Sequence, residues 1–169
     1  MDKPIPNQNQ KSLSEDDFIV SKTDTKGVIT YGNKSFIKLS GYSDQELLGS
    51  PHSILRHPDM PQIVFKMLWS RILKKEEIFA YVKNLSKDGS YYWVFANVTA
   101  TTDGEGHIRD FHSVRRKPSV KSMQVIPSLY GELLSVEKNQ GLEASKKLLE
   151  EKLYEEGMTY DEFILSLQH

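Results

Sequence analysis

Three consecutive strand patterns joined by tight turns constrain the fold of this chain more than any other feature. β-Branched and aromatic residues predict strands over Ile78 to Leu85, Tyr91 to Thr101 and His107 to Arg115. The connections are Lys87-Asp88-Gly89-Ser90 and Asp103-Gly104-Glu105-Gly106, which carry the aspartate and glycine typical of hairpin turns. Connections this short join antiparallel neighbours, so these strands are expected to form an antiparallel sheet.

Two further strands and two short helices are predicted ahead of this run. The strands cover Phe18 to Ser21 and Gly27 to Gly32, and the helices cover Asn33 to Leu39 and Ser43 to Leu48. The second helix opens with Ser43 followed three residues later by Glu46, which is a capping box. The order predicts an α+β fold with a five-stranded antiparallel sheet and helices over one face.

The segment from Ser50 to Trp69 is dense in proline, imidazole, charged and aromatic side chains. Its prolines interrupt any helix before about Asp59, and Asp59 with Pro61 predicts a helix that begins there and runs to about Leu73. Apolar residues occupy nearly every direction around this helix, so we expect it to be buried on more than one side.

An aromatic stripe and a polar group coincide on the same helix. Phe65 and Trp69 are one helical turn apart, a spacing that more often reflects core packing than ligand binding. Arg56, His57 and Asp59 arrive together at the start of the helix, where core packing does not require them. Their presence favours a bound ligand beside this helix.

Two asparagines are candidates for recognising such a ligand. Strand alternation places Asn84 on one face with Val82, Ala80 and Ile78, and Asn33 follows the second predicted strand. Each amide can both donate and accept, which suits the edge of an isoalloxazine or a similar heterocycle. The alternative is structural, with Asn33 capping a helix and Asn84 satisfying a turn.

Charge and composition exclude several classes of function. With 22 basic and 23 acidic residues, the chain has no net attraction for nucleic acid or an anionic membrane. No apolar run reaches membrane-spanning length, and residues 1–15 are a polar, proline-containing stretch that we expect to be a disordered tail rather than a signal peptide. We therefore expect a cytoplasmic protein without direct membrane insertion.

The chain contains no cysteine. This rules out a disulfide, a thiolate zinc site, an iron–sulfur cluster and a cysteine-ligated haem within it. It also rules out a cysteinyl–flavin photoadduct, so a bound flavin would have to signal through its redox state. Nucleophile motifs, phosphate-binding glycine loops and HExxH-type metal helices are missing too, and we expect no enzymatic activity.

Beyond about Pro118 the pattern becomes helical. Apolar residues at helical spacing predict helices over Pro127 to Val136 and Leu142 to Tyr154, and Thr159 with Glu162 begins a third through Leu167. The organisation is thus a tail (1–15), an α+β domain (16–118) and a helical C-terminal extension (119–169). The extension either serves docking or dimerisation or covers the outer face of the sheet.

The region from about Asp16 to Pro118 closely resembles the PAS sensor domain of bacterial aerotaxis receptors, which bind flavin. The most specific matches are Arg56-His57-Pro58-Asp59-Met60-Pro61, Val82-Lys83-Asn84, Lys87-Asp88-Gly89 and Tyr92-Trp93-Val94. The resemblance implies a PAS fold and bound FAD whose redox state is the signal. It assigns flavin binding or sensing to Asn33, Arg56, His57, Asp59, Phe65, Trp69 and Asn84.

The resemblance also suggests what these residues would do. Phe65 and Trp69 would pack against the ring system, and Arg56 would meet the pyrophosphate or a reduced, anionic flavin. His57 would follow the flavin's protonation because imidazole titrates near neutral pH, unless it is buried or paired with Asp59. One departure is Lys75-Glu76-Glu77-Ile78, which replaces an aromatic segment common in the family and implies a missing aromatic wall.

Receptors of this class continue into a membrane anchor and a signalling rod, neither of which is found here. The chain resembles the stand-alone sensor of a bipartite energy-taxis system. We expect an FAD-binding redox sensor that relays to a membrane-bound, methyl-accepting chemotaxis-type transducer, peripheral to the inner membrane through that partner, with a homodimer as a further expectation. The alternatives are a haem gas sensor with His57 or His52 as ligand, and a ligand-free interaction module.

Overall fold

The computed structural model describes residues 2–169 and contains a five-stranded antiparallel sheet. The spatial order of the strands is β2-β1-β5-β4-β3. The central position of β5 joins the two early strands to the later hairpin. The predicted α+β fold is confirmed, with the strands β1 (Ile19–Thr23), β2 (Ile29–Gly32), β3 (Ile78–Leu85), β4 (Tyr91–Thr102) and β5 (Ile108–Arg116).

The helices between β2 and β3 lie over one face of the sheet, called the inner face here. They are α1 (Lys34–Ser40), α2 (Asp44–Leu47), a 3₁₀ helix (His52–Leu55) and α3 (Gln62–Leu73). The predicted capping box at the start of α2 is present, with Ser43 and Glu46 hydrogen-bonded reciprocally. Phe36, Leu55 and Ile63 are completely or almost completely buried between these helices and the sheet.

The start of α3 differs from its prediction. Asp59 does not cap the helix, because its carboxylate instead accepts a hydrogen bond from Lys83 at 2.7 Å. The cap comes from Glu137, far along the chain, whose carboxylate oxygens accept from the backbone amides of Gln62 (2.8 Å) and Ile63 (3.0 Å). Ser145 donates to the same carboxylate at 2.8 Å. The C-terminal extension therefore holds the first turn of α3 in place.

Replacing Glu137 with alanine should leave two amides of α3 without their cap. We expect the free energy of unfolding to fall by about 1–2 kcal/mol, as for the loss of other helix caps. Urea titration followed by circular dichroism measures this change. A matched control is Glu143→Ala, which removes only an exposed ion pair with Lys66 and should change stability by at most about 0.5 kcal/mol. Equal effects of the two substitutions would contradict the capping role.

The extension consists of α4 (Val120–Gln140), α5 (Leu142–Glu156) and α6 (Tyr160–Gln168). The first of these begins seven residues earlier than predicted because Ser119 caps it by accepting from the amide of Ser122, and Pro127 lies inside it. The prediction that a helix begins at Pro127 is thus wrong, since a well-capped first turn precedes the proline.

The extension packs on the outer face of the sheet along β3. Tyr130 donates a hydrogen bond to the carbonyl of Tyr81 at 2.6 Å, and Tyr160 donates to that of Phe79 at 2.8 Å. Tyr81, which points to this face, donates in turn to the carbonyl of Ile164 at 3.1 Å. These contacts show that the extension covers the outer face of the sheet, which is one of its two interpretations. A role in docking or dimerisation stays a prediction.

Part of the segment expected to be a disordered tail (residues 1–15) is hydrogen-bonded to the sheet, at Asn7, Asn9 and Lys11. The amide of Lys11 donates to Tyr91 at 2.8 Å, and the amide of Tyr91 donates to Asn9 at 2.9 Å. The physical reason is an unpaired edge: β5 begins to pair with β4 only at Phe95, which leaves the first residues of β4 available on that side. Leu13 is buried against this region.

Candidate ligand-binding site

A cavity of about 240 Å³ lies between the inner face of the sheet and α3. Its apolar lining comes from α3 and from inward-facing residues of three neighbouring strands. The apolar residues are Phe65, Leu68, Trp69, Ile72, Val82, Ala96, Val98 and Phe111. A concave, mostly apolar space with a few polar groups is the usual form of a small-molecule site.

Aromatic side chains form one wall of the cavity. Trp69 lies edge-on to Phe111 with ring centroids 5.5 Å apart, and Phe65 lines the cavity one helical turn earlier. Gly27 lies beside the indole, and its positive φ of +83° is what favours glycine at this position. The predicted absence of an aromatic wall is thus partly compensated by Phe111 on β5. Strand alternation along β5 could have identified the inward position of Phe111.

Arg56 and Asn84 bring polar groups to the same cavity. The guanidinium of Arg56 stacks on the ring of Phe65, with its carbon 3.9 Å from the centroid, and its Nε is buried without a hydrogen-bond partner. Asn84 is 4% exposed and lines the cavity together with Val82, as the predicted alternation of β3 requires. A backbone bridge between Arg56 and Asn84 fixes the two residues side by side.

A second polar group, here called the basic cluster, consists of Ser21, His52 and Arg115. Arg115 donates to Nε2 of His52 at 3.1 Å and to the hydroxyl of Ser21 at 2.7 Å. Since arginine has only donors, the imidazole Nε2 must accept. Burial and the neighbouring guanidinium lower the pKa of His52 to about 3, so this imidazole is neutral at physiological pH.

The cluster was not predicted as a site, although His52 was considered as a haem ligand. Arg115 is 3% exposed, and burial lowers its pKa to about 10, which still leaves it protonated at neutral pH. The inner-face periodicity of β5, which also places Phe111 and Ser113 at the cavity, could have identified Arg115. His52 is stacked on Phe36 and occupied by hydrogen bonds, an arrangement that does not leave its Nε2 available for haem iron.

All the ionisable side chains that line the cavity are basic. They are Lys26, His52, Arg56, His112 and Arg115, and no acidic side chain from residues 2–169 joins them there. Such a lining favours a ligand that carries negative charge.

Three residues of the predicted site lie outside the lining of this cavity. Asn33 caps α1 by accepting from the amide of Phe36 at 3.0 Å, and its amide group donates to the carbonyl of Phe18 at 2.8 Å. Asp59 is exposed and paired with Lys83. Asn33 therefore has the structural role that was the alternative to ligand binding. Asp59, just before α3, forms a surface ion pair with Lys83 of β3.

His57 is buried, and its Nδ1 accepts from the amide of Asp59 at 3.0 Å. Burial, assisted by the positive charge of Lys83, lowers the pKa of His57. A lowered pKa favours the neutral imidazole near neutral pH. The sensing role expected for His57 depended on a change of its charge in that range. The geometry corresponds instead to the alternative of a buried, hydrogen-bonded histidine.

Residues 2–169 contain neither a membrane-spanning helix nor a metal-binding cluster of side chains. No helix there is both long enough and apolar enough to cross a bilayer. No group of three histidine, aspartate or glutamate side chains in this part of the chain could hold a metal ion.

Comparison with known proteins agrees with the fold. Residues 29–115 match the sequence profile described as the PAS fold. The aerotaxis receptor of Escherichia coli (strain K12) is 37% identical over 127 residues, which cover 75% of this chain and 25% of that receptor. The chain thus corresponds to about a quarter of that relative's length.

Solved structures give the same result in three dimensions. A light-oxygen-voltage domain from a study of a flavin analogue superposes with a TM-score of 0.57 at 25% identity, covering 66% of this chain and 83% of that domain. The dark structure of the blue-light photoreceptor Aureochrome1 LOV gives a TM-score of 0.53 at 27% identity, covering 72% and 83% respectively. With its profile match and its five-stranded sheet lining a cavity under α3, the chain belongs to the PAS family.

Proposed function

We propose that this protein is a flavin-binding redox sensor, with FAD as its cofactor. The observation that carries the proposal is the composition of one cavity, which combines an aromatic wall, an inward-facing amide and exclusively basic ionisable groups. Trp69 and Phe65 offer surfaces for a flat ring system, Asn84 can donate to and accept from the ring edge, and Arg56 can pair with a phosphate. When bound, the flavin supplies one- and two-electron redox chemistry.

The residues present fit this group in size and in unsatisfied polarity. The volume of about 240 Å³ is just below the roughly 300–1,000 Å³ of pockets that hold whole drug-sized ligands. A cavity of this size suits the ring system of a flavin, with the phosphate-bearing tail outside it. The buried Nε atoms of Arg56 and Arg115 have no hydrogen-bond partner within residues 2–169. A ligand with acceptor groups would satisfy them.

The output of the sensor is proposed to be signalling rather than catalysis. The similarity to an aerotaxis receptor supports a relay to a membrane-bound chemotaxis transducer, with the protein in the cytoplasm and peripheral to the membrane through that partner. A stand-alone sensor of the bipartite type, in monomeric or homodimeric form, belongs to the same proposal. A change at the cavity can reach the C-terminal extension through α3. This helix carries Phe65 and Trp69 at the cavity, and its first turn is capped by Glu137 of the extension.

The absorption spectrum of the purified protein tests this proposal directly. We expect a yellow protein whose flavin is released as FAD on denaturation, because no cysteine is present to form a covalent adduct. Failure of the wild-type protein to take up flavin during refolding with excess FAD would overturn the proposal. A Soret band instead of flavin bands would support the haem alternative.

Asn84→Ala should lower flavin occupancy more than it lowers stability. The side chain faces the cavity, so its loss removes a recognition group, and the hydrogen bond at stake is worth about 0.5–1.5 kcal/mol, or a roughly 2- to 13-fold weaker affinity. Fluorescence titration with FAD and thermal melting of the apoprotein measure the two effects. The control is Asn97→Ala on the outer face of β4, which should bind flavin like the wild type. A variant of Asn84 that retains full affinity while melting early would show a structural role only.

A further inference from the structure

The first turn of α3 is a junction of three helices. The carboxylate of Glu137, on α4, accepts from two backbone amides of α3 and from the hydroxyl of Ser145, on α5. Lys66, one turn further along α3, pairs with Glu143 of α5 at 3.2 Å. A partly buried carboxylate needs such donors in place of water. If the amides of α3 move away, Glu137 is drawn toward water, and the bond that anchors Ser145 is weakened.

Apart from this junction, α5 is held less firmly than the other two helices of the extension. Two of its 15 residues are buried, compared with five of 21 in α4 and two of nine in α6. Tyr130 of α4 and Tyr160 of α6 donate to carbonyls of β3, but within residues 2–169 no residue of α5 forms a hydrogen bond to the sheet. A helix with few buried contacts opens at a lower free-energy cost than its neighbours.

Glycines lie at both ends of α5. Gly141 has a φ of +93° and a ψ of 175°, a combination that only glycine adopts readily, and Gly157 has a φ of +66°. Beyond the adjoining residues, a Cβ at either position would meet no atom of residues 2–169 within 4 Å. The backbone therefore has room to rotate at both glycines. Residues at the ends of helices that can absorb such rotations are the usual hinges of proteins.

We propose that α5 is a hinged helix whose docking depends on the position of α3. When the first turn of α3 shifts, Glu137 loses its backbone donors, and α5 rotates outward about Gly141 and Gly157. The helices α4 and α6 keep their hydrogen bonds to β3 and stay on the sheet. The movement exposes the apolar side chains with which α5 packs against the core. These are Leu142, Leu148, Leu149 and Leu153.

This coupling does not require flavin, so it goes beyond the proposed function. The helix α3 carries Phe65 and Trp69 at the cavity, and the amides of Gln62 and Ile63 at the junction. It is continuous over 12 residues, so any ligand that displaces the helix from the cavity side also acts on the junction. By linkage the effect is reciprocal, and release of α5 changes the affinity of that ligand by the same factor.

Amide hydrogen exchange of the full-length protein as purified, followed by NMR, measures the opening of each helix. In the wild type we expect the interior amides of α5, at Leu148 and Leu149, to be protected at least about tenfold less than those of α6, at Ile164 and Leu167. Glu137→Ala should lower the protection of α5 by a further factor of roughly five or more, the scale of a lost helix cap, without the same change in α6.

Ser43→Ala is the matched control, because it also removes a side-chain cap from a helix of the inner face. Ser43 forms its hydrogen bonds with Glu46 alone, within the first turn of α2. Its loss should leave the ratio of protection between α5 and α6 unchanged, even where overall stability falls.

A chemical link between α4 and α5 tests the hinge itself. Glu132 of α4 and Lys152 of α5 form an ion pair at 2.9 Å, and the chain has no cysteine. Glu132→Cys with Lys152→Cys can therefore be joined by a short bismaleimide without modifying a native thiol. The link should abolish the additional exchange that Glu137→Ala causes in α5. The same double variant with its thiols blocked separately is the unlinked reference.

Equal protection of α5 and α6 in the wild type would overturn the inference, and so would a Glu137→Ala protein in which all helices exchange faster by one common factor. Where Glu137→Ala does not fold, the link decides on its own. It should then slow exchange in α5 roughly fivefold or more and leave α6 unchanged, and an equal effect on both helices contradicts the hinge. Protein that binds no flavin defeats the proposed function, but it leaves this exchange pattern as the test of the hinge.

Discussion

Ending the chain after Ser119 should abolish cooperative folding instead of releasing an independent sensor domain. The truncation removes α4, α5 and α6, which cover the outer face of the sheet, and exposes the aromatic side chains of Tyr81, Trp93 and Phe95. Buried residues lost with the extension are Ile126, Leu129, Tyr130, Leu133, Leu149, Ile164 and Leu167.

The expected magnitude follows from the apolar surface involved. Full burial of one large apolar side chain contributes about 1.5–3 kcal/mol, whereas the net stability of a whole domain is only about 5–15 kcal/mol. Together the seven lost residues contribute an amount comparable to or larger than that margin. Truncation also removes Glu137 and so leaves the first turn of α3 without its cap.

The measurement compares the full-length and truncated proteins by near-ultraviolet circular dichroism and thermal melting. We expect the truncated protein to be insoluble or to lack a sharp transition. The control is full-length protein with serine at Val120 and Tyr154, which are 76% and 89% exposed, and it should melt like the wild type. A soluble truncated protein with a sharp transition and native flavin affinity would contradict this expectation. It would also favour the docking role of the extension, which light scattering of the full-length protein tests independently.

The strands and the inner-face helices could be predicted because their determinants are local. Hairpin turns at Asp88-Gly89 and Asp103-Gly104, strand alternation and the capping box at Ser43 all depend on residues within a few positions of each other. The cap of α3 could not be predicted in this way. It is supplied by Glu137, which is 74 and 75 positions away from the two amides it accepts from.

Within the site, the cavity-lining residues of α3 and the inward-facing Asn84 could be predicted from the sequence, whereas the basic cluster could not. Phe65, Trp69 and Asn84 line the cavity because helical and strand periodicity fix their direction. Asn33 has the same side chain as Asn84, but its position after β2 uses the amide for capping, and sequence alone does not distinguish these two uses. Arg115 becomes significant only once folding shows that no carboxylate among residues 2–169 is paired with it.

Phe36→Ala should destabilise the protein by about 3–5 kcal/mol, the typical cost of deleting a fully buried phenylalanine. Phe36 is 0% exposed and packs so closely against β2 that a Cβ at Gly32 would lie 2.5 Å from its ring. For a protein of this size, each kcal/mol shifts the melting temperature by roughly 2–4 °C, so a decrease of roughly 6–20 °C is expected. The comparison variant is Phe18→Ala, whose side chain is 51% exposed and whose loss should have little effect.

The same substitution should also affect the site, because the ring of Phe36 packs against two members of the basic cluster, His52 and Arg115. Its ring is stacked on His52 at an interplanar angle of 13°, and the guanidinium carbon of Arg115 lies 4.9 Å from its centroid. Losing this support allows the guanidinium to move away from the cavity, so flavin affinity should fall even at temperatures where the variant remains folded. Flavin titration well below the lowered melting temperature measures this second effect. Full affinity in a destabilised Phe36→Ala protein would show that the orientation of Arg115 does not depend on Phe36, and that the hydrogen bonds to His52 and Ser21 are enough to hold it.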